Sequence, residues 1–388
     1  MKFLATLILF LSVCTVQPTI GLTVFIHGTT GSLISLLGHY KIAPRALVAQ
    51  KKFREHPILW QDQPMLQQGF IEITPEKLTD SKMGRLSPHE AQCACYHIMS
   101  TYDAVAGHVG LSEDINQYAL FGWSGLLSHE KRQEAAHDLY DALCNYREKI
   151  EKQYGITPVI RIVSHSHGGT VALGLGDAEK IKKRDLQVEL LAMLGTPISV
   201  EMKDCITSLV FKKIISGHSD GDKVQNKDRF SIKSGKSYRK MKDVVDLNSF
   251  MRRYPGYERC DLHLKVNQDT HIIDHCNMWH LGRSKKISDV LGPLPFVVLL
   301  PAILKHTHPH YSASTVKVVH NGLNLSVSVN TCIHGKNVFV GNSINLHTII
   351  HNCCNQVIAS WHPLDTSRNV LFNTKNKIAL RYVFNRDK

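Results

Sequence analysis

Between Leu22 and about residue 282 the chain alternates short apolar, β-type runs with stretches of helical periodicity, and this alternation constrains the fold more than any other feature. Parallel strands buried on both faces read as near-continuous Val, Ile and Leu runs, and each needs a crossover, usually a helix, before the next strand can run the same way. The strand candidates are Leu22–Ile26, Tyr118–Trp123, Pro158–Val163, Val188–Leu194, Val210–Ser216 and His263–Val266. Between the second and third, Ala135, Leu139, Leu143 and Ile150 recur at helical spacing within Glu130–Tyr154. Gly155 follows as the left-handed residue that commonly closes a helix. The predicted fold class is α/β, with a mostly parallel sheet covered by helices. Residues 40–110 are proline-punctuated and read as an insertion at the edge of that sheet.

After Gly292 the character changes. An apolar, interrupted stretch from Pro293 leads to His306-Thr-His-Pro-His310, and residues 293–311 read as a linker. From Ser312 onward short β-type runs dominate: Thr315–Val319, Leu325–Val329, Asn337–Val340, Gln356–Trp361 and Lys377–Phe384. Asn321-Gly322 marks a hairpin turn. A small all-β segment over residues 312–388 is therefore expected. The histidines at 306–310 have no tetrahedral ligand pattern around them and read as a solvated connection, so no metal is expected.

The 388 residues are 43% hydrophobic and 20% charged, which excludes a disordered tail protein, a collagen and a polytopic membrane protein. The net charge of +13 favours acidic partners such as an anionic membrane surface. No aromatic-interleaved basic motif or zinc module accompanies it, so nucleic acid is not expected. At the start, Met1-Lys2 precedes an apolar run, Phe3–Val13, too short to span a bilayer comfortably. It has the form of an export signal, placed over residues 1–20. Ten cysteines in an exported chain are expected to be structural or locally disulfide-bonded; their spacing matches no zinc site.

The chemistry concentrates at Ile160-Arg-Ile-Val-Ser-His-Ser-His-Gly-Gly-Thr170. A β-type run breaks into Ser164-His-Ser-His-Gly168 and a helix-compatible stretch follows, the strand–turn–helix context of a nucleophile elbow. Ser166 is at the tip. Small residues are needed two places either side: Gly168 supplies one, and Ser164 stands where glycine is usual. Earlier, Val24-Phe-Ile-His-Gly-Thr-Thr-Gly31 is a strand ending in His-Gly, which puts a peptide N–H where an acyl oxyanion would form; Thr29 is the candidate donor, with His167 the second. Leu194-Gly-Thr-Pro197 ends the strand after the elbow. A further strand runs into Ser219-Asp-Gly-Asp-Lys-Val-Gln225, where a carboxylate can orient an imidazole; Asp222 is the choice and Asp220 the runner-up. In His271-Ile-Ile-Asp-His-Cys-Asn-Met-Trp-His280 the base is assigned to His275, with His271 and His280 as alternatives. Phe121-Gly-Trp-Ser-Gly125 is read as the end of a structural strand.

Taken in this order, the motifs resemble the α/β-hydrolase superfamily, of the lipase or serine-esterase type, over roughly Leu22–Gly292. The resemblance implies an α/β-hydrolase domain over 21–292 and cleavage of carboxylic esters by Ser166, Asp222 and His275 through an acyl-enzyme. It also implies the Thr29 and His167 amides as oxyanion donors and no cofactor. The expected substrate is a small-molecule or lipid ester with an apolar acyl group. Two rivals are an acyltransferase or thioesterase with the same triad, and an exported binding protein on a hydrolase scaffold.

Overall fold

The computed structural model describes residues 18–26, 28, 69–73, 102–103, 105–111, 113–125, 128–222, 224–227, 234–266, 275, 300–306, 313–321, 324–333, 336–339 and 344–345. Residues 1–17 of the expected export signal and the last two β-type runs of the sequence, at 356–361 and 377–384, lie outside them; Ile20, the last residue assigned to that signal, opens the first strand.

The central strands are the apolar runs. β1 (Ile20–Ile26) is buried at every residue, as a strand covered on both faces must be. It lies between β3 (Ile115–Gly122) and β4 (Val159–His165), parallel to both, with Phe25 opposite Leu120 on one side and Val163 on the other. β5 (Val188–Leu194), β6 (Phe211–His218) and β7 (Glu258–Val266) continue the parallel array.

Two parts of the sheet depart from the sequence reading. Inside the expected insertion, β2 (Gly69–Ile73) pairs antiparallel with β3 and forms one edge of the sheet. At the other end, the strands expected as a separate β segment do not stand apart. β8 (Ala313–Asn321) runs parallel to β7 over six residue pairs, and β9 (Asn324–Ile333) returns antiparallel to β8, with Asn321 opposite Asn324. β10 (Lys336–Phe339) and β11 (Ile344–Asn345) both pair with β9. The described strands thus form one eleven-stranded sheet in the order β10-β9-β8-β7-β6-β5-β4-β1-β3-β2, with β11 on β9. An open edge of β7 would present a row of unpaired N–H and C=O groups, and pairing with β8 satisfies them.

Helix α1 (His129–Tyr154) lies against this sheet through Ala135, Ala136, Leu139, Leu143 and Ile150, all buried. The Ser128 side chain accepts from the Lys131 N–H at its start, and Gly155, at φ 70°, donates its N–H to the Glu151 carbonyl at its end. Each buried Leu or Ile side chain contributes roughly 1.5–3 kcal/mol, so this one face outweighs the helix's polar composition. After β4 come α2 (His167–Leu173) and α3 (Leu175–Lys182), joined at Gly174. A Cβ at Gly174 would lie 2.6 Å from the Ala136 Cβ, so glycine permits the close approach of α1. A short helix, α4 (Val224–Lys227), follows β6, and α5 (Leu300–His306) buries Leu300, Ala302 and Ile303 of the apolar stretch before β8.

The connectivity singles out one place. From β1 the chain goes out to β2 at the sheet edge, returns to β3 beside β1, then crosses over β1 to β4 and proceeds to β5, β6 and β7. The order reverses beside β1, and the crevice outside the carboxyl ends of strands at such a reversal is where open α/β sheets bind ligands. β1 ends there at Ile26, two residues before Gly28, and β4 at His165, just before Ser166.

Candidate active site

β4 passes into α2 through a single residue, Ser166, at φ 52° and ψ −132°. A side chain rarely adopts positive φ, and holding one there costs of order 1–3 kcal/mol. Three contacts hold it: the Ser166 N–H donates to the Leu194 carbonyl at 2.8 Å, the Gly169 N–H donates back to the Ser166 carbonyl at 3.0 Å, and Gly28 packs against the serine. A Cβ at Gly28 would lie 2.7 Å from the Ser166 Cβ, and a Cβ at Gly169 would collide with the Thr196 side chain. Glycines at both places let the turn close. Ser164, fully buried, turns its hydroxyl to the Ala192 carbonyl at 3.2 Å. The neighbouring strand thus satisfies the hydroxyl that stands where a glycine was expected.

The Ser166 Oγ is 2.8 Å from His275 Nε2, and His275 Nδ1 is 2.8 Å from Asp222 Oδ2. A carboxylate only accepts, so Nδ1 carries the hydrogen and, in the neutral ring, Nε2 is left to accept from the serine hydroxyl. Asp222 is wholly buried. Its Oδ1 accepts from the N–H groups of Val224 and Gln225 at 2.9 and 3.1 Å, capping α4, while Oδ2 faces the imidazole. Arg239 Nη2 and Nε donate to the Asp222 backbone carbonyl at 2.7 and 3.2 Å, and the Gln225 amide donates to the Thr196 carbonyl at 2.9 Å. These bonds tie the acid's turn to the turn after β5. In that turn Gly195, at φ 66°, sits under the pair: a Cβ there would be 3.1 Å from His275 Nδ1 and 3.3 Å from Asp222 Oδ2.

The structure therefore brings together three of the residues singled out from sequence, Ser166, Asp222 and His275. Asp220 is elsewhere, with its side chain 73% exposed and 3.0 Å from His263 Nε2. His167 is the first residue of α2, where peptide N–H groups have no carbonyl one turn earlier to bond. Thr29, His271 and His280 lie outside the described residues. Trp123, just beyond β3, is buried, and its neighbour Ser124 follows a strand that β1 separates from the elbow strand β4. Sequence reasoning passed over Arg239 and gave no role to His165 or Gly195, though both sit inside quoted motifs. Arg239 carries no local signal, since its partner Asp222 is 17 residues away, and the fit of Gly195 depends on His275, 80 residues further on.

Among the described residues no group of three or more His, Cys, Asp and Glu side chains is arranged to hold a metal ion. No helix among them is long and apolar enough to cross a membrane. Cys144, Cys205 and Cys260 are buried free thiols.

No known family and no curated protein matches this chain in sequence. Among solved structures, a hyperthermophilic esterase from the archaeon Pyrobaculum calidifontis overlaps 79% of this chain and 70% of its own, at 10% identity and a TM-score of 0.25. A monoclinic form of a Pyrobaculum calidifontis esterase overlaps 88% and 76%, again at 10% identity and a TM-score of 0.25. An arylesterase overlaps 64% of this chain and 58% of its own, at 10% identity and a TM-score of 0.24. Superpositions this loose say nothing of what the chain acts on. The α/β class rests on the strand order and register themselves.

Proposed function

We propose that the protein is a serine hydrolase of carboxylic esters, built on an α/β-hydrolase-type sheet. The observation that carries this reading is the unbroken hydrogen-bond chain from Ser166 Oγ through the His275 imidazole to Asp222 Oδ2, both links 2.8 Å, on a serine held at positive φ. Nucleophile, base and orienting acid need that order and reach.

In the first half-reaction His275 Nε2 takes the hydroxyl proton as Ser166 Oγ bonds to the ester carbonyl carbon. The carbonyl oxygen takes up the negative charge beside the His167 N–H, with Thr29 assigned as the second donor. Collapse breaks the bond to the leaving alcohol, which receives the proton from His275. Water then repeats the sequence against the acyl-enzyme: its proton goes to His275, its oxygen to the acyl carbon, and the proton returns to Ser166 Oγ. Asp222 orients the ring: its Oδ1 accepts from two N–H groups, which leaves Oδ2 facing His275 Nδ1. The apolar-acyl, lipid-like substrate, the anionic surface and the export signal of the sequence reading belong to this proposal, supported by the +13 charge and the apolar run at 3–13.

A fluorophosphonate probe, which captures only an activated serine, tests the reading. Wild-type protein labels at Ser166, and Ser166→Ala does not. Turnover of an ester panel of graded chain length falls by about 10⁴–10⁶-fold in the same variant. A folded wild-type protein that takes no label and cleaves no ester overturns the proposal.

A further inference from the structure

Next to Ser166 is a second imidazole that the chemistry above does not use. His165 ends β4 and is 4% exposed. Its Nε2 lies 2.8 Å from the backbone carbonyl of His275. A carbonyl only accepts, so His165 Nε2 carries a hydrogen, the tautomer opposite to that imposed on His275 by Asp222. The two rings also touch, with centroids 4.8 Å apart and planes inclined by 41°. On the far side Gly28 closes in: a Cβ there would come within 3.3 Å of both His165 Nδ1 and the His165 carbonyl. The ring is thus wedged between the end of β1 and the peptide that carries His275.

That wedge answers a question of placement. Ser166 and Asp222 are held by strand ends and by backbone bonds on either side. His275 follows β7 and must present two ring nitrogens at once, each within hydrogen-bond reach of a fixed partner. Two side-chain bonds fix the ring's outer atoms, and they leave the backbone behind it to be set by something else. Resting on the hydrolase reading above, we infer that His165 is a positioning residue: its Nε2–H holds the His275 peptide, and its ring face sets the tilt of the His275 imidazole. It touches neither the reacting oxygen nor the acid. Its effect passes through His275.

Displacing a reacting group by about 1 Å costs on the order of 100-fold in rate, and this scale sets the expectation. His165→Phe keeps a ring against His275 and removes the donor; His165→Gln keeps an N–H at comparable reach and removes the ring; His165→Ala removes both. Two readouts are taken on each folded variant. The first is the rate of fluorophosphonate labelling together with kcat and KM for a short ester. The second is the downfield Nδ1–H proton resonance of His275 in ¹⁵N-histidine-labelled protein, assigned by its absence in His275→Gln. This resonance reports the bond to Asp222 without any turnover.

The expected result is a labelling rate and kcat lower by about 10–100-fold in His165→Ala, with KM within about twofold. Partial recovery in His165→Gln, and an Nδ1–H resonance broadened or lost in His165→Ala and sharper in His165→Gln, complete the pattern. Wild-type rates and an unshifted resonance in both His165→Phe and His165→Ala overturn the inference. So does equal loss in all three variants, which a packing role alone would produce. Should wild-type protein fail to label while its His275 resonance still responds to His165 in the expected order, the hydrolase reading falls and the positioning role stands.

Discussion

Ser166 is strained, and the strain can be measured apart from the chemistry. Alanine at this position keeps the Cβ that makes φ 52° and ψ −132° costly; glycine removes it. Ser166→Gly is therefore expected to be more stable than Ser166→Ala by about 1–3 kcal/mol in urea unfolding, although both lack the hydroxyl. Equal stabilities would mean the turn imposes no strain on its tip. Gly195 gives the converse. At φ 66° and with His275 Nδ1 3.1 Å from where its Cβ would be, Gly195→Ala is expected to lose about 1–2 kcal/mol of stability. It should also lose a larger share of ester turnover than that destabilisation accounts for, by pushing the imidazole off its partners. At this scale much was legible. Ser166 announced itself because a tight turn needs small neighbours in a fixed local pattern. The choice between Asp220 and Asp222 was harder, since both stand in one polar turn beside Gly221, and what separates them is burial made by distant chain: Asp222 is capped, covered and faced by His275, while Asp220 points outward. His165 was quoted only as part of a motif, because its partner is 110 positions further on.

Strand ends carry a second, opposed pair of titrating groups. His218, at the end of β6, and His263, its register partner within β7, stack with centroids 5.1 Å apart and planes within 6°. Burial, then the charges of His263 and Lys240, hold His218 down at about 3. Asp261, also on β7, is pushed up to about 6 by burial, in spite of the N–H groups of Met241 and Lys242 on its oxygens. As pH falls below the ordinary histidine value of about 6.5, the unfolded chain protonates His218 while the folded one refuses, and stability drops. From about pH 6 down to 4 the folded chain takes a proton at Asp261 before the unfolded one does, and stability rises. Over pH 4–6 the two contributions oppose each other. In His218→Phe the Asp261 contribution is unmasked, so the variant should gain stability relative to wild type on acidification from pH 6 to 4, by up to about 1.4 kcal/mol per pH unit. Parallel unfolding free energies at pH 6, 5 and 4 would refute it. The strands themselves were largely visible in the sequence, because burial on both faces leaves an uninterrupted apolar run. β2 was not. Its five residues include a glycine and Glu72, and an edge strand need be apolar on one face only.

For the whole molecule the informative join is β7 to β8. Six residue pairs link a strand of the α/β array to the segment that composition had set apart. Pairing between distant strands leaves no mark in local periodicity, so the change of character at residue 293 gives no sign of it. If the join is structural, a chain ending at residue 311 exposes the edge of β7, with Leu262 and Leu264 still needing cover. It should appear in the aggregated fraction on size-exclusion chromatography where the full chain elutes as a discrete species; a monodisperse truncated chain with unchanged labelling of Ser166 would show the last strands to be dispensable.

The order of the strands also has a consequence in time. β1 is apolar but for Thr23, yet Ile20 must wait for Ile115 before it gains its first parallel partner, and Gly21 for Val159 before the second. At a ribosomal pace of about 5–20 residues per second, the first wait alone lasts roughly 5–20 s. For that interval the nascent chain displays a bare, sticky ribbon that nothing yet made can shield. Whatever escorts this polypeptide from the ribosome has to hold that ribbon apart from its neighbours until the rest of the sheet arrives.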